Sequence, residues 1–143
     1  MKRGPHSKSF GFTLLELLVV VVIIGLLVAY VAPRYFQQIG KSQRTAALDQ
    51  IDSLRKAIDA YWLDAGHFPP NEHGLTALTV KPDAEPKWNG PYLQHRVPAD
   101  PWGNAYIYRT PGAGRDYDLF SYGKDGKAGG EGEDADLGLE DGR

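Results

Sequence analysis

Residues 12 to 32 read FTLLELLVVVVIIGLLVAYVA, and what these 21 residues form decides the fold. At about 1.5 Å of rise per residue, a helix over them is roughly 30 Å long, the thickness of a bilayer's hydrocarbon core. A helix apolar on every side would need far more surrounding protein to be buried in a soluble core than a 143-residue chain supplies. A cleaved secretory signal is the other reading, with an apolar run of about 7–15 residues ending in a small-x-small site. Here the run is longer, and cleavage after Ala32 would set Tyr30 three positions upstream and Pro33 directly downstream. A retained transmembrane helix is therefore expected.

Outside this stretch about 110 polar, Gly- and Pro-rich residues remain, enough for one small domain and not two. The formal charge of −2 conceals an asymmetry. The first eleven residues carry Lys2, Arg3 and Lys8 and no acid, which leaves 13 Lys and Arg against 18 Asp and Glu from Phe12 onward. A short basic start suits a segment held on the cytoplasmic side. No basic patch suggests a nucleic-acid partner. There is no cysteine, so disulfides and thiolate chemistry are excluded and a small domain must be stapled in another way. His6, His67, His73 and His95 lack metal-ligand spacing, and no G-x-S-x-G nucleophile motif occurs, so the chain does not read as an enzyme.

Within the apolar run Glu16 is the anomaly, since a carboxylate in hydrocarbon costs a few kcal/mol and normally faces a partner. Lying four residues from Phe12, it either stays hydrated near the interface or meets a cation at its own depth. No Lys or Arg stands between Lys8 and Arg34; a freshly exposed α-amino group would supply the charge. Pro33 either ends the helix or kinks it, and because helical signals resume at once a kink is expected.

Gly11-Phe12-Thr13-Leu14-Leu15-Glu16, after a basic leader and before an unbroken apolar run, resembles the prepilin peptidase site of type IV pilins and pseudopilins. The resemblance implies that an integral-membrane aspartyl peptidase cleaves after Gly11 and methylates Phe12. It further implies that Glu16 pairs with the terminal amine of a neighbouring subunit, and that Pro33 lies where the helix bends or melts inside a filament.

Beyond Arg34, Leu48, Ile51, Leu54, Ile58, Tyr61/Trp62 and Ala65 recur at helical steps and form one apolar stripe. Asp52 and Lys56 make an i,i+4 pair of favourable orientation, Gly66 is a natural stop, and Pro69-Pro70 forbids continuation. The helices together predict a rod of roughly 50 residues. Residues 67 to 104 are loop-rich, with one short helix expected within Asn71 to Leu78. AYIYR (105–109) and YDLFSY (117–122) read as two strands of a hairpin joined by TPGAGRD, with a third short strand around Pro91–Leu93 or near the C-terminus. A small antiparallel sheet laid on the helix stripe would bury Tyr106, Tyr108, Leu119 and Phe120. The fold class expected is α+β.

The tail GKDGKAGGEGEDAD (123–136) is dense in glycine and acid. Such composition commonly means a solvated, disordered tail. Glycines also let a chain fold back so that carboxylates and carbonyls converge, and oxygen-only donors suit Ca²⁺, although the spacing is not that of an EF-hand. GLTAL (74–78), GPYL (90–93), PADPWGNAYIY (98–108) and this tail resemble the major pseudopilin family of type II secretion systems, a branch of the type IV pilin superfamily. With the N-terminal site the resemblance covers nearly the whole of Gly11 to Gly138; the closing LGLEDGR departs from it.

That resemblance implies a calcium-stapled loop, with Asp125 and Asp136 as carboxylate ligands, Tyr122 and Lys127 as backbone-carbonyl donors, and Asp134 as a further candidate. It implies three parts: a cleaved leader (1–11), a transmembrane and filament-core helix (12–33) and a periplasmic domain (34–143). It implies a single-pass protein of the bacterial inner membrane that polymerises as a helical homo-oligomer and drives export of folded proteins. Its partners would be the prepilin peptidase, minor pseudopilins, the inner-membrane assembly platform and inner-membrane lipid. A type IV pilin of a surface fibre shares the N-terminal mechanism but usually closes its C-terminal region with a disulfide.

Overall fold

The computed structural model describes residues 11–139, so residues 1–10 of the basic leader and residues 140–143 lie outside the described residues. One helix, α1, runs from Leu14 to Ala65, 52 residues, and passes through Pro33 without ending there. Proline removes one backbone hydrogen bond and crowds the carbonyl four residues back, a cost of about 3 kcal/mol, yet the helix resumes at once over the Gln-, Ala- and Leu-bearing stretch that follows. Reading Pro33 as a stop is therefore excluded. α1 does end at Gly66, whose φ of 80° is open to glycine and costly for other residues. Its N–H closes the last turn on the Trp62 carbonyl at 2.8 Å.

The chain divides into two compact units, Met1–Gln38 and Ile39–Arg143. In the first, the large apolar side chains from Phe12 to Phe36 are all 43–88% exposed. In the second, the rest of α1 meets a small α+β assembly. A 3₁₀ helix spans Gly74–Leu78 and a second Gly132–Asp134. Two short strands, β1 (Ile107–Arg109) and β2 (Asp118–Phe120), pair antiparallel with Ile107 opposite Phe120, Tyr108 opposite Leu119 and Arg109 opposite Asp118. The third pairing falls near the C-terminus, as a single bridge between Ser121 and Leu137.

The core of this unit is Ala47, Ile51, Leu54, Ala57, Ile58, Tyr61 and Ala65 of α1 against Leu75, Ala77, Leu78, Tyr106, Leu119 and Leu137. Burying each Leu or Ile contributes about 1.5–3 kcal/mol. The stripe differs from expectation at its margins: Leu48 and Trp62 stay about half exposed while Ala47 and Tyr61 are fully covered. A small side chain at 47 lets Tyr106 come down on the helix, its hydroxyl 3.4 Å from the Ala47 carbonyl and bonded to Gln50 Oε1. Of the four residues assigned to the sheet's buried face, Tyr106, Leu119 and Phe120 are buried and Tyr108 is partly so.

Candidate functional site

Thr13 sets the start of α1. Its Oγ1 accepts from the Glu16 N–H at 3.2 Å, and its carbonyl accepts from the Leu17 N–H at 3.2 Å, the arrangement of an N-cap. Glu16 thus stands at the third helical position, exposed, in the turn where the helix dipole favours a negative charge. Thr-x-x-Glu before an apolar run is a capping-box pattern, a signal present in the sequence and missed when Glu16 was judged by charge alone. Phe12 is 69% exposed just ahead of the cap, next to Gly11. The richest apolar window of the helix has a mean hydropathy of 3.0 and is 0% buried.

The second site is the glycine- and acid-rich loop. Ser121 and Leu137 exchange both backbone hydrogen bonds, N to O at 2.9 and 2.8 Å, and so clamp its two ends together. Inside, the Lys124 N–H donates to the Glu133 carbonyl at 2.9 Å, and Lys124 Nζ pairs with Glu133 Oε2 at 2.6 Å, a contact that raises the lysine's pKa. The two carboxylates expected as ligands turn toward the same stretch of backbone. Asp125 Oδ1 accepts from the Lys127 N–H at 3.1 Å, and both Asp136 oxygens lie 3.1 Å from the Gly129 N–H. Asp134 sits in the second 3₁₀ helix, and Tyr122 is half-buried at the base of the loop. Among the described residues no three His, Cys, Asp or Glu side chains converge to hold a metal. An ion here would therefore depend on backbone carbonyls beside two carboxylates. That all-oxygen set is the chemistry of Ca²⁺, and the donors fit it in kind.

The loop is anchored on α1. Glu133 lies over Gly40, so closely that a Cβ there would fall 1.9 Å from Glu133 Oε1. Arg44 reaches the Gly132 carbonyl at 3.4 Å and Arg55 the Gly138 carbonyl at 2.9 Å. A glycine inside a helix weakens it by about 1 kcal/mol, so Gly40 was visible as an oddity, but its reason lies on the loop. Elsewhere, His67 Nε2 pairs with the buried Glu85 at 2.6 Å, where Tyr61 and Tyr92 also pack. Burial, first, and then Glu85 raise the Tyr61 pKa.

Comparison with known proteins places these features. The family described as Type II secretion system (T2SS), protein G, matches residues 34–140, and the Prokaryotic N-terminal methylation motif matches residues 6–32. The type II secretion system core protein G of Pseudomonas aeruginosa is 43% identical over 141 residues, covering 96% of this chain and 97% of its own. That of Vibrio cholerae is 44% identical over 134 residues, covering 92% and 91%. The crystal structure of the major pseudopilin from the type 2 secretion system of enterohaemorrhagic Escherichia coli superposes with a TM-score of 0.57 at 36% identity, over 69% of this chain and 87% of that one.

Proposed function

We propose that this chain, which belongs to the type II secretion system protein G family, is the subunit from which a periplasmic pseudopilus is built: cleaved between Gly11 and Phe12, methylated on Phe12, and polymerised through α1. It is a structural subunit, as its family is, and not an enzyme. The observation that carries the proposal is the uncovered apolar helix of the first unit, 0% buried over its richest window and headed by a methylation motif. Such a surface must lie in lipid or against copies of itself. Anchored in the inner membrane, the chain leaves the bilayer only where neighbours rehouse that helix. Glu16 opposite the Phe12 ammonium of another copy then makes correct register favourable, because an unmatched buried charge costs several kcal/mol.

Residues 34–143 lie on the periplasmic side, following from the positive leader, and the prepilin peptidase, minor pseudopilins and assembly platform are the partners. The loop 122–136 holds Ca²⁺ through the Asp125 and Asp136 carboxylates with the Tyr122 and Lys127 carbonyls, Asp134 being a further donor. When bound, the ion supplies the staple that cysteines supply elsewhere; the chain itself contributes the glycine turns and the clamp at Ser121 and Leu137.

Mass spectrometry of the subunit purified from cells with an active prepilin peptidase tests the processing: a chain beginning at methylated Phe12 is expected, and an intact Met1 start overturns it. For the loop, calcium should raise the melting temperature of the detergent-solubilised chain, and Asp125→Ala should erase that rise. A parent chain indifferent to calcium removes the ion from the proposal and leaves the filament role standing.

A further inference from the structure

The base of the loop is held by a buried polar network that starts in the DPWGN turn, residues 100–104. Asp100 is 4% exposed and Ser121 0%. The Asp100 carboxylate accepts three bonds: from the Trp102 N–H at 3.1 Å, the Asn104 N–H at 2.7 Å and the Ser121 hydroxyl at 2.5 Å. With its hydroxyl hydrogen directed at Asp100, the Ser121 Oγ is oriented to accept, and it accepts from the Gly123 N–H at 3.0 Å. Asn104 Nδ2 donates to the Gly123 carbonyl at 2.8 Å. Both backbone polar groups of Gly123, one in each of its flanking peptide units, are thus fixed from outside the loop. At that point the returning arm passes close by, with the Glu133 and Ala135 carbonyls 2.7 and 2.8 Å from where a Cβ would stand.

We propose that Asp100, Asn104 and Ser121 are positioning residues for the cation loop, setting the backbone on both sides of Gly123 so that the arms bearing Tyr122, Asp125 and Asp136 are aligned before an ion arrives. The inference rests on the calcium reading above. Its physical basis is preorganisation: a fully satisfied buried network fixes geometry, and groups that orient metal ligands govern affinity strongly. A carboxylate three bonds deep in the fold also ties the loop to the turn that precedes β1, so loop order depends on the folded unit.

The test is calorimetric titration of CaCl₂ into the chelator-stripped full chain in detergent micelles, alongside its melting temperature without calcium. Ser121→Ala and Asn104→Ala should each weaken calcium binding about tenfold or more, and Ser121→Thr, which keeps the hydroxyl, should recover most of it. Ile58→Val, a change in the helix core, should lower the melting temperature and leave the affinity as it was. Should Ser121→Ala not fold, Asn104→Ala, at a half-buried position, carries the same comparison. Unchanged affinity in Ser121→Ala or Asn104→Ala overturns the inference while the calcium reading stands. An affinity loss that merely follows melting temperature, Ile58→Val included, overturns it too. A parent chain that binds no calcium overturns both.

Discussion

Replacing Gly123 by alanine should cost far more than the same change at Gly129, although both residues have a positive φ, 73° and 90°. Holding alanine in that region costs about 1–2 kcal/mol at either site. At Gly129 nothing lies within 4 Å of the added Cβ, so the conformational cost is the whole effect. At Gly123 the Cβ meets two backbone oxygens, Glu133 O at 2.7 Å and Ala135 O at 2.8 Å. Backbone cannot rotate away as a side-chain end can. The returning arm must retreat by roughly 0.7 Å, an overpacking strain of about 1–3 kcal/mol. That retreat also stretches the bond between the Lys124 N–H and the Glu133 carbonyl, 2.9 Å at rest, whose net worth is about 1 kcal/mol. The difference between the two variants is then about 2 kcal/mol or more, which for a unit of this size corresponds to about 8 °C in melting temperature. Thermal unfolding followed by near-ultraviolet circular dichroism, in chelator so that no ion contributes, reads the difference directly. Two variants melting within about 2 °C of each other would refute the close approach of the arms at Gly123.

Three further outcomes are expected. Burial pushes Tyr106 and Tyr108 up to about 12, helped at Tyr106 by the nearby Asp100 charge. Both phenols keep their protons between pH 10 and 12 in the folded chain and lose them when it unfolds; their contribution is full below pH 10 and disappears as pH rises through 12. An absorbance titration at alkaline pH should therefore show two tyrosines ionising only near 12, and their ionisation with the exposed tyrosines near 10 would contradict the packing. Thr13→Ala should remove the N-cap, worth about 1 kcal/mol, and speed hydrogen exchange of the Glu16 amide about fivefold in micelles without moving the melting temperature. Glu16→Ala should leave the subunit inserted but slow or abolish filament assembly, scored by sheared-filament yield; normal assembly would take away its proposed role.

What the sequence made legible was what is local. A run of 21 apolar residues states its own length, and the steps Ile51, Leu54, Ile58, Ala65 state their own face. At the margins of that face a 100° step cannot choose between Ala47 and Leu48, or Tyr61 and Trp62. At 47 the choice was made by Tyr106, 59 residues away, coming down on the Ala47 carbonyl, and Tyr61 packs against His67 and Tyr92. Residues that hold the loop share that character: Asp100 meets Ser121 across 21 positions and Arg44 meets Gly132 across 88, and no periodicity announces either. Gly40 inside the helix is likewise explained only by a distant residue: it is a seat for Glu133.

Glu16 is the reverse case, a local pattern outweighed by its surroundings. Thr13-x-x-Glu16 placed the carboxylate in the first turn of α1, where unsatisfied N–H groups present roughly half a positive charge. The isolated subunit therefore has a partial counter-charge of its own, and its carboxylate need not wait in hydrocarbon with nothing to face. On the proposed assembly a full ammonium, Phe12 of another copy, is added to that half charge. The gain on docking is then the attraction of a whole positive charge beyond the partial one already present, in a drier place. Such a difference lets the subunit reside stably in the membrane and still favours its leaving in one register only.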